Sequence, residues 1–197
     1  MHAQPEIHPL LRSRWSPVAF SSEPIAEDTL AALFEAARWS PSCFNSQPWR
    51  FVIGRHGTEA HARIASTLVP NNAIWAVHAY ILGISVANDH FPANNKPNRW
   101  AGHDVGMASM SLAIEATARG LFIHFMAGFD SAKAIDLLAI PDQHTPMAAF
   151  ALGHHGDPAT LTPELLAKEN KARTRKPADE VVVEGKFTNG VPRSGFA

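Results

Sequence analysis

The stretch Ser40-Pro41-Ser42-Cys43-Phe44-Asn45-Ser46-Gln47-Pro48-Trp49-Arg50-Phe51 constrains this chain most. It separates a helical apolar pattern from the apolar run Phe51-Val52-Ile53. Its two prolines fix φ and withhold N–H donors, so the segment is neither helix interior nor strand interior. Between them stand serine hydroxyls and the Asn45 and Gln47 amides, and each amide both donates and accepts. Such a shaped loop can hydrogen-bond a flat heterocycle edge-on. On composition alone the alternative is an ordinary turn capped by its own Ser and Asn side chains.

The rest of the chain bounds what this loop can belong to. With 197 residues, 46% hydrophobic and 18% charged, the simplest expectation is one globular domain over 1–197, burying about 70% of its unfolded surface. A net charge of −1 gives no electrostatic case for nucleic acid or for a membrane surface. Cys43 is the single cysteine, so no internal disulfide forms. Met1 to Leu10 lacks a basic region followed by an apolar core, and no apolar run approaches a membrane span. A cytoplasmic protein is expected. His154-His155 are adjacent and His103 precedes Asp104, but nothing repeats at a metal-ligand spacing, so no metal site is expected.

In chain order, Ile7 to Arg14 reads as a short helix with Leu10 and Leu11 inward, ended by Ser16-Pro17. Arg12 and Arg14 flank Ser13, and planar guanidinium forks with nearby hydroxyls suit a phosphate; a solvated face is the alternative. Ile25 to Trp39 has helical spacing, with Glu27 and Asp28 favouring its N-terminus. A strand through Arg50–Gly54 and a helix over Glu59–Leu68 follow. Pro70-Asn71-Asn72 reads as a turn, and the apolar run Ala76 to Val86 as a strand buried on both faces. Asn88 to Arg99, with its prolines and asparagines, is a surface loop able to cover a site. Phe91 and Trp100 are candidates for its substrate side. Trp100 to Arg119 is a long small-residue helix, Leu121 to Met126 a strand, and Ser131–Leu138 a helix with Asp130 as N-cap. Pro146 to His154 reads as the last core strand, with His154 and His155 as loop residues. Glu164–Lys171 suits a short helix before the basic run Arg173-Thr174-Arg175-Lys176-Pro177.

Several of these motifs, taken together, resemble the FMN-dependent nitroreductases. Ser40-Pro41-Ser42, Asn45 and Gln47-Pro48-Trp49 match the loop that family lays against its flavin. Arg14-Trp15-Ser16-Pro17-Val18-Ala19-Phe20 resembles its early Arg-x-Ser motif, departing at Val18, where a second basic residue is usual. Asn72, the Ala127-Gly128-Phe129-Asp130 step and the pair Arg173 and Arg175 fall in the family's order. The resemblance spans nearly the whole chain.

The resemblance implies an α+β fold with a central, mostly antiparallel sheet flanked by helices, and an intertwined homodimer. The arm from about 178 to 197 would wrap the partner subunit, after a short strand following Pro177. It implies FMN held by Arg14, Trp15 and Ser16, by Pro41, Ser42, Cys43, Asn45 and Gln47, by Asn72, by the backbone of Ala127 and Gly128 near N5, and by Arg173 and Arg175. Arg12 is the candidate to meet the phosphate charge that Val18 cannot. NAD(P)H would be the electron donor in a ping-pong reaction, with a nitroaromatic, quinone or similar small acceptor. Neither a nucleophile–base set nor a Gly-rich dinucleotide or triphosphate cradle is present, and a flavin carries the redox chemistry without them. Other flavin chemistry on the same fold, such as dehalogenation or ring dehydrogenation, and a non-catalytic flavin-binding protein are the alternatives.

Overall fold

In a computed structural model, residues 6–186 of the chain are described. They fall into two compact units, His8–Glu169 and a second built from the remaining terminal segments. The first unit contains every strand described: β1 (Phe20–Ser21), β2 (Trp49–Arg55), β3 (Ile81–Asn88), β4 (Phe122–Met126) and β5 (His144–His155). Its helices are α1 (Pro9–Ser13), α2 (Glu27–Arg38), α3 (Glu59–Thr67), α4 (Pro70–Ala76), α5 (Ala101–Ala118), α6 (Ser131–Leu137) and α7 (Pro163–Glu169).

The long β5 organises an antiparallel sheet. It pairs with β3 along its length, with β4 through Ala149 to Gly153, and with β1 at His154 and His155. β2 pairs with β3 and forms the opposite edge. β3 is buried on both faces, which explains its nearly continuous apolar sequence, broken inside only by Ser85. One face packs on Leu30, Leu33 and Ala37 of α2 and on Val105, Ala108 and Leu112 of α5. The other packs on Ile64 of α3, Trp75 of α4 and Ala134 of α6. Phe150 is fully buried and meets Phe125 and Phe51 at ring distances of 5.8 and 6.2 Å. Gly83 makes room for it, since a Cβ there would lie 2.2 Å from the Phe150 ring. The α+β, mostly antiparallel expectation is met.

Five local expectations are corrected. Pro70-Asn71-Asn72 opens helix α4 rather than a turn, because Pro70 stands at a first-turn position where no intrahelical N–H is needed. The run Ala76 to Val86 is therefore split, its start finishing α4 and β3 beginning at Ile81; a short apolar run does not distinguish helix from strand. His154 and His155 belong to β5, where they pair with Ser21 and Phe20 of a strand too short to show periodicity. Leu11 is exposed rather than inward. In the second unit, Ala178–Glu180 is a 3-10 turn where a short strand was expected. Residues 187–197 of the anticipated arm lie outside the described residues. No helix among the described residues is long and apolar enough to cross a membrane.

Candidate functional site

The Pro41–Gln47 segment is a strained turn. Cys43–Asn45 form a single 3-10 turn, and Phe44, Asn45 and Gln47 have φ of 52°, 53° and 47°. Side chains other than glycine pay roughly 1–3 kcal/mol each in such conformations, so the surroundings must impose them. Ser42 carbonyl accepts from Asn45 N–H at 3.0 Å, and Ser42 Oγ accepts from Gln47 N–H at 3.0 Å. Outside the turn, Cys43 N–H donates to Asp104 Oδ2 at 2.9 Å. Ser40 Oγ meets Ser111 Oγ at 2.7 Å, and Asn98 Nδ2 donates to Ser46 Oγ at 3.4 Å. Asp104 and Ser111 lie on α5, and the Asp104 carboxylate is buried, with His103 Nδ1 3.3 Å from its other oxygen. The loop is thus fastened to the long helix by its backbone. Pro41 and Asn45 are exposed and Ser42, Cys43 and Gln47 half-buried. Gln47 Nε2 donates to Asn45 Oδ1 at 3.2 Å, so the two amides share one edge.

A second constellation surrounds Arg14. Its Nη1 donates to Ser16 Oγ at 3.1 Å, bringing the two expected phosphate partners together. Trp15 packs edge-on against Phe122 and tilted against His155. Arg12 lies in the last turn of α1. Val18 points into the core with 2% exposure. Its N–H and that of Ala19 donate to Glu169 Oε2 at 2.6 and 3.2 Å, and Glu169 Oε1 lies 2.7 Å from His155 Nε2. A buried carboxylate therefore clasps the backbone just after the Arg-x-Ser motif. His124 Nδ1 donates to the Pro17 carbonyl at 2.7 Å and its ring lies 4.6 Å from that of Trp75. Lys168 Nζ stands 5.3 Å over the Trp75 ring. Burial holds His124 below the usual imidazole range; the Pro17 carbonyl opposes this, Lys168 adds to it, Glu169 opposes it and Arg14 adds to it.

Asn72 and Gly128 meet directly. Asn72 Nδ2 donates to the Gly128 carbonyl at 3.0 Å, and Val69 N–H donates to the same oxygen at 3.1 Å. A Cβ on Gly128 would lie 2.6 Å from Asn72 Nδ2, so the close approach this glycine permits is that of a side chain. Ala127 precedes it on the surface, and Asp130 caps α6 by accepting from Lys133 N–H at 2.9 Å.

The loop after β3 faces the strained turn. A cleft of about 640 Å³ opens between Phe44–Ser46 and the segment Phe91 to Pro97. Phe91 lines it. Trp100 does not; it precedes α5 with the Arg99 guanidinium 4.7 Å over its ring. Arg173 and Arg175 belong to the second unit, where Arg175 Nη1 donates to the Thr174 carbonyl at 2.7 Å. Sequence reasoning missed Asp104, Glu169 and His124 as supports of these segments, since each acts on a partner far along the chain. It also passed over Phe44, an aromatic residue set among the small polar residues of a motif-rich loop, which was the signal the sequence offered.

The nitroreductase family model matches residues 11–74, a span that includes the Arg14–Ser16 and Pro41–Gln47 segments and Asn72. The chain belongs to the nitroreductase family. Among solved structures, an oxidoreductase containing FMN is 33% identical, with a TM-score of 0.88 over 95% of this chain and 96% of that one. A nitroreductase family protein from Clostridium difficile 630 shares the fold at 18% identity, with a TM-score of 0.69 over 90% of this chain and 97% of that one. An uncharacterised 15.4 kDa protein of Mycolicibacterium smegmatis is 33% identical over 148 residues, covering 71% of this chain and 98% of the relative.

Proposed function

We propose that this chain is an FMN-dependent oxidoreductase, active as a homodimer in the cytoplasm. It takes electrons from NAD(P)H and delivers them to a small flat acceptor such as a nitroaromatic or quinone. The observation that carries the reading is the strained Pro41–Gln47 turn, held by Asp104, with the Asn45 amide exposed and the Gln47 amide half-buried beside it. The donor set fits FMN. A phosphate monoester carries about −1.5 to −2 charges near neutral pH, and Arg14 and Ser16 converge at 3.1 Å to meet it. Arg173 and Arg175 supply further cations by the family pattern, and Arg12 lies close in sequence.

When bound, FMN supplies two-electron transfer between donor and acceptor. The chain's own work is to bind and orient. Ser42 and Cys43 shape the turn, and Asn45 and Gln47 offer donors and acceptors to a ring edge. Asn72 spends one amide proton on Gly128, leaving its carbonyl oxygen and a second proton for a ligand. Ala127 and Gly128 offer backbone beside it. Trp15 fixes the Arg14–Ser16 segment by packing on Phe122. The homodimer is supported by exposed Leu11 and Met110 beside a groove lined by Pro41, Met107 and Ile114.

The test is the visible spectrum of the purified protein, recorded anaerobically while NADH or NADPH is added. A flavin band that bleaches stoichiometrically is expected. A band that persists would remove the NAD(P)H donor, and no band even after FMN is added would overturn the reading.

A further inference from the structure

We infer that the cleft between the Phe44 turn and the Phe91–Pro97 loop selects aromatic acceptors bearing a negative charge, with Phe44 and Phe91 gripping the ring and Lys96 reading the anion. This deepens the proposed function and rests on it for the identity of the reaction.

Phe44 makes the case. It is 91% exposed and also held at a φ of 52°, so the fold pays twice for it, in apolar exposure and in backbone strain. Neither cost is needed to anchor the turn, which is fixed by Asp104 and Ser42 through backbone groups. What the ring meets is Phe91, edge-on at 5.9 Å, across the mouth of the cleft. Aromatic edges and faces displayed this way suit a flat ring inserted between or beside them.

The opposite wall is built, not loose. Phe91 N–H donates to the Lys96 carbonyl at 2.8 Å, Asn95 N–H donates to the Phe91 carbonyl at 2.8 Å, and Lys96 N–H donates to Asn94 Oδ1 at 3.0 Å. Asn98, buried, donates its backbone N–H to the Asp89 carbonyl at 2.7 Å and reaches Ser46 across the cleft. Both walls are therefore tied to each other. Lys96 leaves this wall from a backbone fixed on both sides. Among the described residues it is the one ionic side chain lining the cleft, and no described carboxylate lines it. The volume lies in the range of small-molecule sites. A neutral ring would gain the aromatic contact alone; a ring with a carboxylate gains Lys96 as well.

The test is calorimetric titration of the purified protein, with and without FMN, using 4-nitrobenzoate and the neutral 4-nitrobenzamide. The carboxylate is expected to bind the wild type roughly two- to five-fold more tightly, the size of a solvent-exposed ion pair. That ratio falls to about one in Lys96→Gln and inverts in Lys96→Glu, and it shrinks in high salt. Phe44→Ala weakens both compounds roughly two- to ten-fold. Equal wild-type affinities, a ratio indifferent to residue 96, or full affinity in Phe44→Ala would each overturn the inference. The binding ratio is read without turnover, so a protein that shows it but reduces neither compound loses the reductase reading and keeps the cleft's selectivity.

Discussion

The Asp104 carboxylate, 2% exposed, accepts a hydrogen bond from the Cys43 N–H at 2.9 Å, so a residue of the long helix sets the conformation of a loop 61 positions earlier. Removing a buried partner strands a donor at a cost of about 1–3 kcal/mol. Asp104→Ala is expected to lower stability by about 2–3 kcal/mol and to weaken FMN binding by roughly tenfold, one RT-scaled step of about 1.4 kcal/mol. Asp104→Asn should do less, because the amide oxygen still accepts. Urea midpoints and quenching of flavin fluorescence measure the two effects. A stability loss with unaltered flavin affinity would detach this turn from the cofactor.

Glu169 holds Val18 and Ala19 by their N–H groups while Val18 fills the core. Restoring the basic residue usual for the family at this position should therefore fail. Val18→Lys buries an unpaired charge and is expected to cost about 3 kcal/mol or more without tightening FMN. Glu169→Ala leaves two N–H groups unmet and should weaken FMN more than riboflavin, since the segment it holds carries Arg14 and Ser16. An FMN-to-riboflavin affinity ratio equal to that of the wild type would mean the clasp supports only the fold.

His124 makes stability depend on pH. Burial holds its folded pKa below the ordinary value near 6.5. Between the two values the unfolded chain binds a proton that the folded chain does not, so stability rises with pH there. His61, lowered chiefly by burial, acts in the same direction. The stabilisation is complete above about pH 6.5 and is lost as pH falls below it. Melting temperature should drop between pH 7 and 5, and His124→Gln, which can still donate to Pro17, should show a shallower drop. A slope identical to the wild type would exclude His124 from the titration.

What the sequence disclosed, and what it hid, follows from range. Local chemistry was legible: Asp130 as a cap, the α2 and α5 spacings, and the proline-framed turn all rest on neighbours within a few residues. The pairing of Arg14 with Ser16 is of the same kind. Asp104 with Cys43, Glu169 with Val18, and His124 with Pro17 join positions 61 or more apart, and no periodicity encodes such a partner. The helical state of Asn72 was hidden differently. Pro-Asn-Asn carries turn chemistry, but Trp75 and Ala76 bury against the sheet and tertiary packing overrides it.

Phe44 trades stability for contact with a ligand. At φ 52° a side chain with a Cβ is disfavoured, and the exposed ring gains only the edge of Phe91. Left-handed backbone costs a non-glycine residue roughly 1–2 kcal/mol, and glycine returns part of that through its freer unfolded state. Phe44→Gly is therefore expected to raise stability by up to about 1 kcal/mol. It should also raise KM for aromatic acceptors several-fold, with the flavin still bound. Thermal melts and steady-state reduction of a nitroaromatic measure the two together. A variant that is destabilised, with KM unmoved, would make the ring a packing element of the loop and leave the strain at Phe44 without a functional reason.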